Sequence, residues 1–77
     1  MRVSVKILGA LTKPQGRGEL DVEVAATSRI EDLLLQLGYQ RAHLRFILSA
    51  VNGIQQKHGH VLEDGDEVTL LMPTSGG

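Results

Sequence analysis

Glu19-Leu-Asp-Val-Glu-Val24-Ala-Ala-Thr-Ser28-Arg-Ile-Glu-Asp-Leu-Leu-Leu-Gln-Leu-Gly38 changes its period half-way along. Up to Val24, apolar Leu20, Val22 and Val24 alternate with acidic Glu19, Asp21 and Glu23, the period-two pattern of a strand with one face buried. Beyond Ser28 the apolar residues Ile30, Leu33, Leu34 and Leu37 recur at helical spacing. Ser28-Arg-Ile-Glu31 has the form of a capping box, in which a hydroxyl and a carboxylate three residues apart satisfy orphan backbone N–H groups. Gly38 is a natural C-terminal stop. A helix of about ten residues is stable only when packed, so its leucine face needs a sheet to cover. That requirement makes the chain an α+β domain.

The flanking segments supply the sheet. Residues 2–8 alternate, with Val3, Val5 and Ile7 on one face and Ser4, Lys6 and the apolar exception Leu8 on the other. Residues 9–18 have turn composition, so the first two strands read as an antiparallel hairpin. Residues 39–44 form a polar connection to a third strand over 45–51. There Phe46, Leu48 and Ala50 share one face and Ile47, Ser49 and Val51 the other, and parity alone does not decide which faces the helix. Asn52-Gly53 is a hairpin turn signal, because both residues tolerate positive φ. A short strand over 54–57, a loop containing His58 and His60, an acidic turn and a last strand over 68–72 follow. The order is β-β-α-β-β-β, with one helix on one face of a mixed four- to five-stranded sheet.

Seventy-seven residues make one domain with a small core. A net charge of −1 and only one Phe and one Tyr argue against nucleic-acid binding. The apolar runs are far too short for a membrane span. No cysteine is present, which excludes disulfides, thiolate zinc sites and a catalytic thiol and suits a reducing cytoplasm. Met1-Arg2 leads directly into a strand pattern, so no signal or transit peptide is expected.

The end of the chain carries the chemistry. Pro73 stops the last strand, and Thr-Ser75-Gly76-Gly77 follows with no apolar side chain, so the domain divides into a body over 1–72 and a flexible tail over 73–77. Termini of this composition are often merely disordered. Here a firm strand, a proline stop and a Gly-Gly end coincide. Glycine lacks Cβ and passes through narrow channels. A terminal carboxylate, with a pKa of roughly 3.3–3.7, is ionised at neutral pH. It can attack the α-phosphate of a nucleotide, and the resulting acyl-adenylate accepts sulfur, oxygen or nitrogen nucleophiles. The chain has no phosphate-binding loop of its own, and Gly16-Arg17-Gly18 precedes a strand rather than a helix. It also lacks a nucleophile paired with a base. An adenylating partner must therefore supply nucleotide and metal.

Other candidates weigh less. His43, His58 and His60 offer no fixed fourth ligand and read as exposed loop residues, so no metal site is expected. Glu63, Asp64, Asp66 and Glu67 fail the EF-hand spacing and read as a solvated turn around a left-handed Gly65. Leu8 and Leu71 fall on the solvent side of their strands, and one face of the third strand joins them. Such a patch on an uncovered sheet marks a protein interface, and Leu8, Phe46, Leu48, Leu71, Pro73 and Ser75 are its expected partner-binding residues.

Val51-Asn52-Gly53, Leu62-Glu-Asp-Gly-Asp-Glu-Val68 and Pro73-Thr-Ser-Gly-Gly77 together resemble the MoaD/ThiS-type sulfur carriers, whose fold is the ubiquitin-like β-grasp. The resemblance implies a protein co-substrate rather than an enzyme, with no bound cofactor. Gly77 would be adenylated by an E1-like enzyme using ATP and converted to a thiocarboxylate, with Gly76 leading it into the active site. Sulfur would then pass to a biosynthetic enzyme, the large subunit of molybdopterin synthase or an analogue. The tail favours the molybdopterin type. The segment 9–14, which lacks the aromatic of that subunit, and the short helix look more like the thiamine-pathway carrier. A ubiquitin-like modifier joined to lysines through Gly77 and a plain β-grasp interaction module are the alternatives.

Overall fold

The computed structural model describes residues 1–9, 11 and 13–73. Ser75, Gly76 and Gly77, which carry the expected chemistry of the tail, lie outside the described residues.

The central strand pair is β1 (Arg2–Gly9) and β5 (Glu67–Met72), which run parallel. β2 (Glu19–Glu23) pairs antiparallel with the outer side of β1. On the other side of β5 lie β3 (Leu48–Val51) and then β4 (Ile54–Gln56), both in antiparallel pairings, giving the order β2-β1-β5-β3-β4. One helix, α1 (Ile30–Gln36), covers one face. Val3, Val5 and Ile7 are buried beneath it, as alternation predicts, together with Val22, Val68, Leu70, Ile30, Leu33 and Leu34. Asn52 and Gly53 have φ of 53° and 85°, the left-handed pair that a two-residue hairpin turn favours.

Register settles which face of β3 points inward. Ser49 pairs with Leu70 and Val51 with Val68, so β3 must turn these residues, and Ile47 before them, toward the helix. Ile47, Ser49 and Val51 are buried, while Phe46 and Leu48 are exposed. The strand also begins later than expected. Residues Arg41–Phe46 wind into a 3-10 helix, with the Ile47 N–H donating to the Leu44 carbonyl at 3.0 Å, and this turn drives Leu44 into the core.

The N-terminal cap of α1 differs from the expected capping box by one residue. The Ser28 carbonyl accepts the Leu62 N–H at 2.8 Å and Arg29 bridges Val61, which keeps the chain extended through Arg29. Arg29 is the N-cap residue, and its N–H donates to the Asp32 carboxylate at 2.8 Å. The Ser28 hydroxyl instead donates to the Ala25 carbonyl at 2.7 Å. At the other end Gly38, at φ 102°, donates to the Leu35 carbonyl and Tyr39 to the Leu34 carbonyl, the paired closure of a Schellman motif.

The acidic turn is not uniformly solvated. Asp66 is buried, and its carboxylate accepts the Asn52 side-chain amide at 3.1 Å and the Glu63 N–H at 2.8 Å. Asp64 accepts the Arg2 N–H at 2.8 Å, and Asn52 Oδ1 accepts the Glu67 N–H at 2.9 Å. These bonds lace the β3–β4 turn, the acidic turn and the start of β1 into one end of the sheet. Gly65 takes the expected left-handed conformation, at φ 86°.

Candidate functional site

The face of the sheet opposite α1 is graded along the strands. At the end where β5 finishes, Leu8, Leu71 and Leu48 stand side by side across β1, β5 and β3. They are 42%, 36% and 40% exposed, and Phe46, two residues before Leu48, is 51% exposed. The Arg45 guanidinium lies 4.9 Å from the centre of the Phe46 ring, a cation–π distance. The next row is mixed, with Glu19, Lys6, Thr69, Ala50 and Gln55. Farther on the face is polar: Asp21, Ser4 and Glu67, then Glu23 and Arg2. Lys6–Glu19 and Arg2–Glu23 ion pairs, at 3.8 and 3.6 Å, and a Ser4–Asp21 hydrogen bond at 3.2 Å occupy these rows. Exposed ion pairs of this kind add little stability and keep the β2 side of the face hydrated.

The structure therefore brings Leu8, Leu48 and Leu71 into one strip, with Phe46 and Pro73 exposed near its margins in sequence. Pro73 follows Met72 directly, so the chain leaves β5 at the apolar end of the face. One participant in this end was not foreseen. Gly9 pairs with Met72 and has φ 71°. The signal available in the sequence was a glycine placed directly after an outward leucine at a strand end.

Other sequence candidates are placed elsewhere. His58 and His60 are half-buried rather than free in solvent, and a His58 ring nitrogen lies 2.7 Å from the Ile47 carbonyl. Among the described residues, no three His, Cys, Asp or Glu side chains gather as a metal site would require. The Gly18 carbonyl accepts the Ile7 N–H at 2.8 Å, so the Gly16-Arg17-Gly18 segment serves the hairpin. The first N–H groups of α1 are equally engaged: Ile30 donates to the His60 carbonyl and Glu31 to the His58 carbonyl, each at 3.0 Å. Burial pushes the Tyr39 phenol above its ordinary pKa, which keeps it neutral at physiological pH. Among the described residues no helix is long and apolar enough to cross a membrane.

Comparison with known proteins decides what this arrangement belongs to. The ThiS family model matches residues 5–77. The chain belongs to the ThiS family. Small archaeal modifier protein 1 from Haloferax volcanii is 25% identical, with each chain covered in full and a TM-score of 0.77. A chain of the complex of subunits 1 and 2 of the molybdopterin-converting factor from Helicobacter pylori is 22% identical, again with full coverage of both and a TM-score of 0.66. The ubiquitin of Caldiarchaeum subterraneum is 19% identical over 100% of this chain and 98% of that one, with a TM-score of 0.60. Comparison with curated protein sequences gives no match. The ThiS-family chain thus has the ubiquitin-like β-grasp fold, as its resemblance to the MoaD/ThiS type implied. Its relatives are small carrier or modifier proteins rather than enzymes.

Proposed function

We propose that the ThiS-family chain is a sulfur carrier whose working atom is the Gly77 carboxyl carbon. The observation that carries this reading is that the family match runs through Gly76 and Gly77, on a chain whose last strand ends beside an exposed apolar strip. In the proposed cycle a carboxylate oxygen of Gly77 bonds to the α-phosphorus of ATP and pyrophosphate leaves. The sulfur of a sulfide donor then bonds to the acyl carbon and AMP leaves, giving a thiocarboxylate. Both steps occur in an E1-like adenylating enzyme, which supplies the cationic groups that phosphoryl transfer needs. The strip of Leu8, Leu48 and Leu71, with Phe46 and Pro73, docks the partner, while Ser75 and Gly76 lead Gly77 into it. The sulfur acceptor is a biosynthetic enzyme, of molybdopterin type by the character of the tail. Likeness to a chain of a complex of two subunits supports docking as the mode of action.

A second reading is conjugation of Gly77 to lysines, favoured by the full-length likeness to an archaeal modifier protein. Intact mass after incubation with ATP, the host's adenylating enzyme and a sulfur donor tests the first. The expected result is replacement of one oxygen by sulfur at Gly77, abolished by deleting Gly76 and Gly77 with the fold intact. An unchanged mass with an active enzyme overturns it, and Gly77 adducts on other proteins establish the second.

A further inference from the structure

Gly9 ends β1 opposite Met72, at the point where the chain is about to leave the sheet. Its φ of 71° lies in the left-handed region, where a side chain is disfavoured. Space is tight for one as well. A Cβ at this position would meet Leu71 Cδ1 at 3.0 Å and the Met72 carbonyl oxygen at 3.7 Å, with nothing else among the described residues within 4 Å beyond its chain neighbours. No core residue is among those contacts. Whatever a side chain at position 9 displaces is therefore on the outer face, at the middle leucine of the apolar strip.

The other left-handed glycines behave differently. A Cβ on Gly16, Gly38, Gly53 or Gly65 would find nothing among the described residues within 4 Å, so glycine there answers only to the backbone turn. At Gly9 a second demand is added, and it comes from Leu71.

We infer that Gly9 is a positioning residue for partner docking: its bare Cα lets Leu71 lean across the end of β1 and take its place between Leu8 and Leu48. This rests on the reading that the apolar strip docks the adenylating enzyme. A methyl group there makes the Leu71 Cδ1 methyl give way by a few tenths of an ångström, and a shifted apolar group at a docking surface weakens binding without altering the chemistry that follows.

Steady-state adenylation, with the carrier as the varied substrate, tests this. Gly9→Ala is compared with Gly65→Ala, which imposes a similar φ penalty at the far end of the sheet. Both variants are expected to melt several degrees below wild type. Only Gly9→Ala is expected to raise KM for the carrier, by about tenfold, with kcat within about twofold, as a loss of uniform binding requires. The double variant Gly9→Ala/Leu71→Ala is expected to be no worse than Leu71→Ala alone, because the effect of Gly9 passes through Leu71. Where Gly9→Ala does not fold, Gly9→Asn carries the same test, since asparagine tolerates positive φ but still bears the Cβ. An unchanged KM in the folded variant, or penalties that simply add, overturns the inference while wild-type adenylation still upholds the carrier. A wild-type chain that the active enzyme does not adenylate overturns both.

Discussion

Ser49 is buried, and its hydroxyl has no hydrogen-bond partner among the described residues. It faces inward because register with Leu70 compels it, not because the core has use for a hydroxyl. A buried polar group left unpaired is costly, and removing it can stabilise a fold. Ser49→Ala is therefore expected to raise stability by about 1 kcal/mol, read as a higher urea midpoint at unchanged slope. A loss of similar size would mean that the hydroxyl is satisfied by water. Asp66 is the opposite case. It is an acidic residue in an acidic turn, and it is buried because Asn52 and the Glu63 N–H surround its carboxylate with donors. Neither environment was legible in the sequence. Burial of a polar residue is decided by partners distant in the chain, and composition around Asp66 points only to solvent.

At the scale of the element, α1 has seven residues, too few for a helix to persist unpacked. Its stability comes from Ile30, Leu33 and Leu34, all fully buried against the sheet. Leu34→Ala is expected to cost about 2–5 kcal/mol, the range for core leucine truncation, measured by chemical denaturation. A cost well below that range would mean the face collapses around the gap. The helix and most strands were legible because their periods are clean, as with Val3, Val5 and Ile7, or Leu33 and Leu34 at helical spacing. What periodicity missed shares one cause. Leu11 lies in a Gly/Pro-rich loop and Leu44 in a polar connection, yet both are buried, and an isolated leucine has no period to betray it. The start of β3 was misplaced for the same reason, since a 3-10 turn over Arg41–Phe46 mimics alternation in its last residues. The cap of α1 was displaced by one residue because Ser28 and Arg29 are first recruited by residues 61 and 62.

For the whole molecule, the sheet has a laced end and an apolar end. The candidate strip was legible in part: alternation marked Leu8 and Leu71 as outward, while Phe46 and Leu48 waited on the pairing of β3 with β5. Leu71→Asp is expected to leave the melting temperature within a few degrees of wild type, because Leu71 is exposed on the face away from α1, and to weaken binding to the proposed adenylating partner by at least about tenfold. Unfolding of this variant would show that the strip supports the body. The parallel pairing of β1 with β5 has one more consequence. Both strands start at the laced end and finish at the other, so β1 begins some 25 Å, about eight strand residues, from where β5 delivers its last residue. The Met1 amine is stitched there to the Val24 carbonyl at 2.9 Å. A reporter or affinity handle genetically fused ahead of Met1 would therefore emerge at the laced pole, remote from the end of β5 and from the apolar strip beside it.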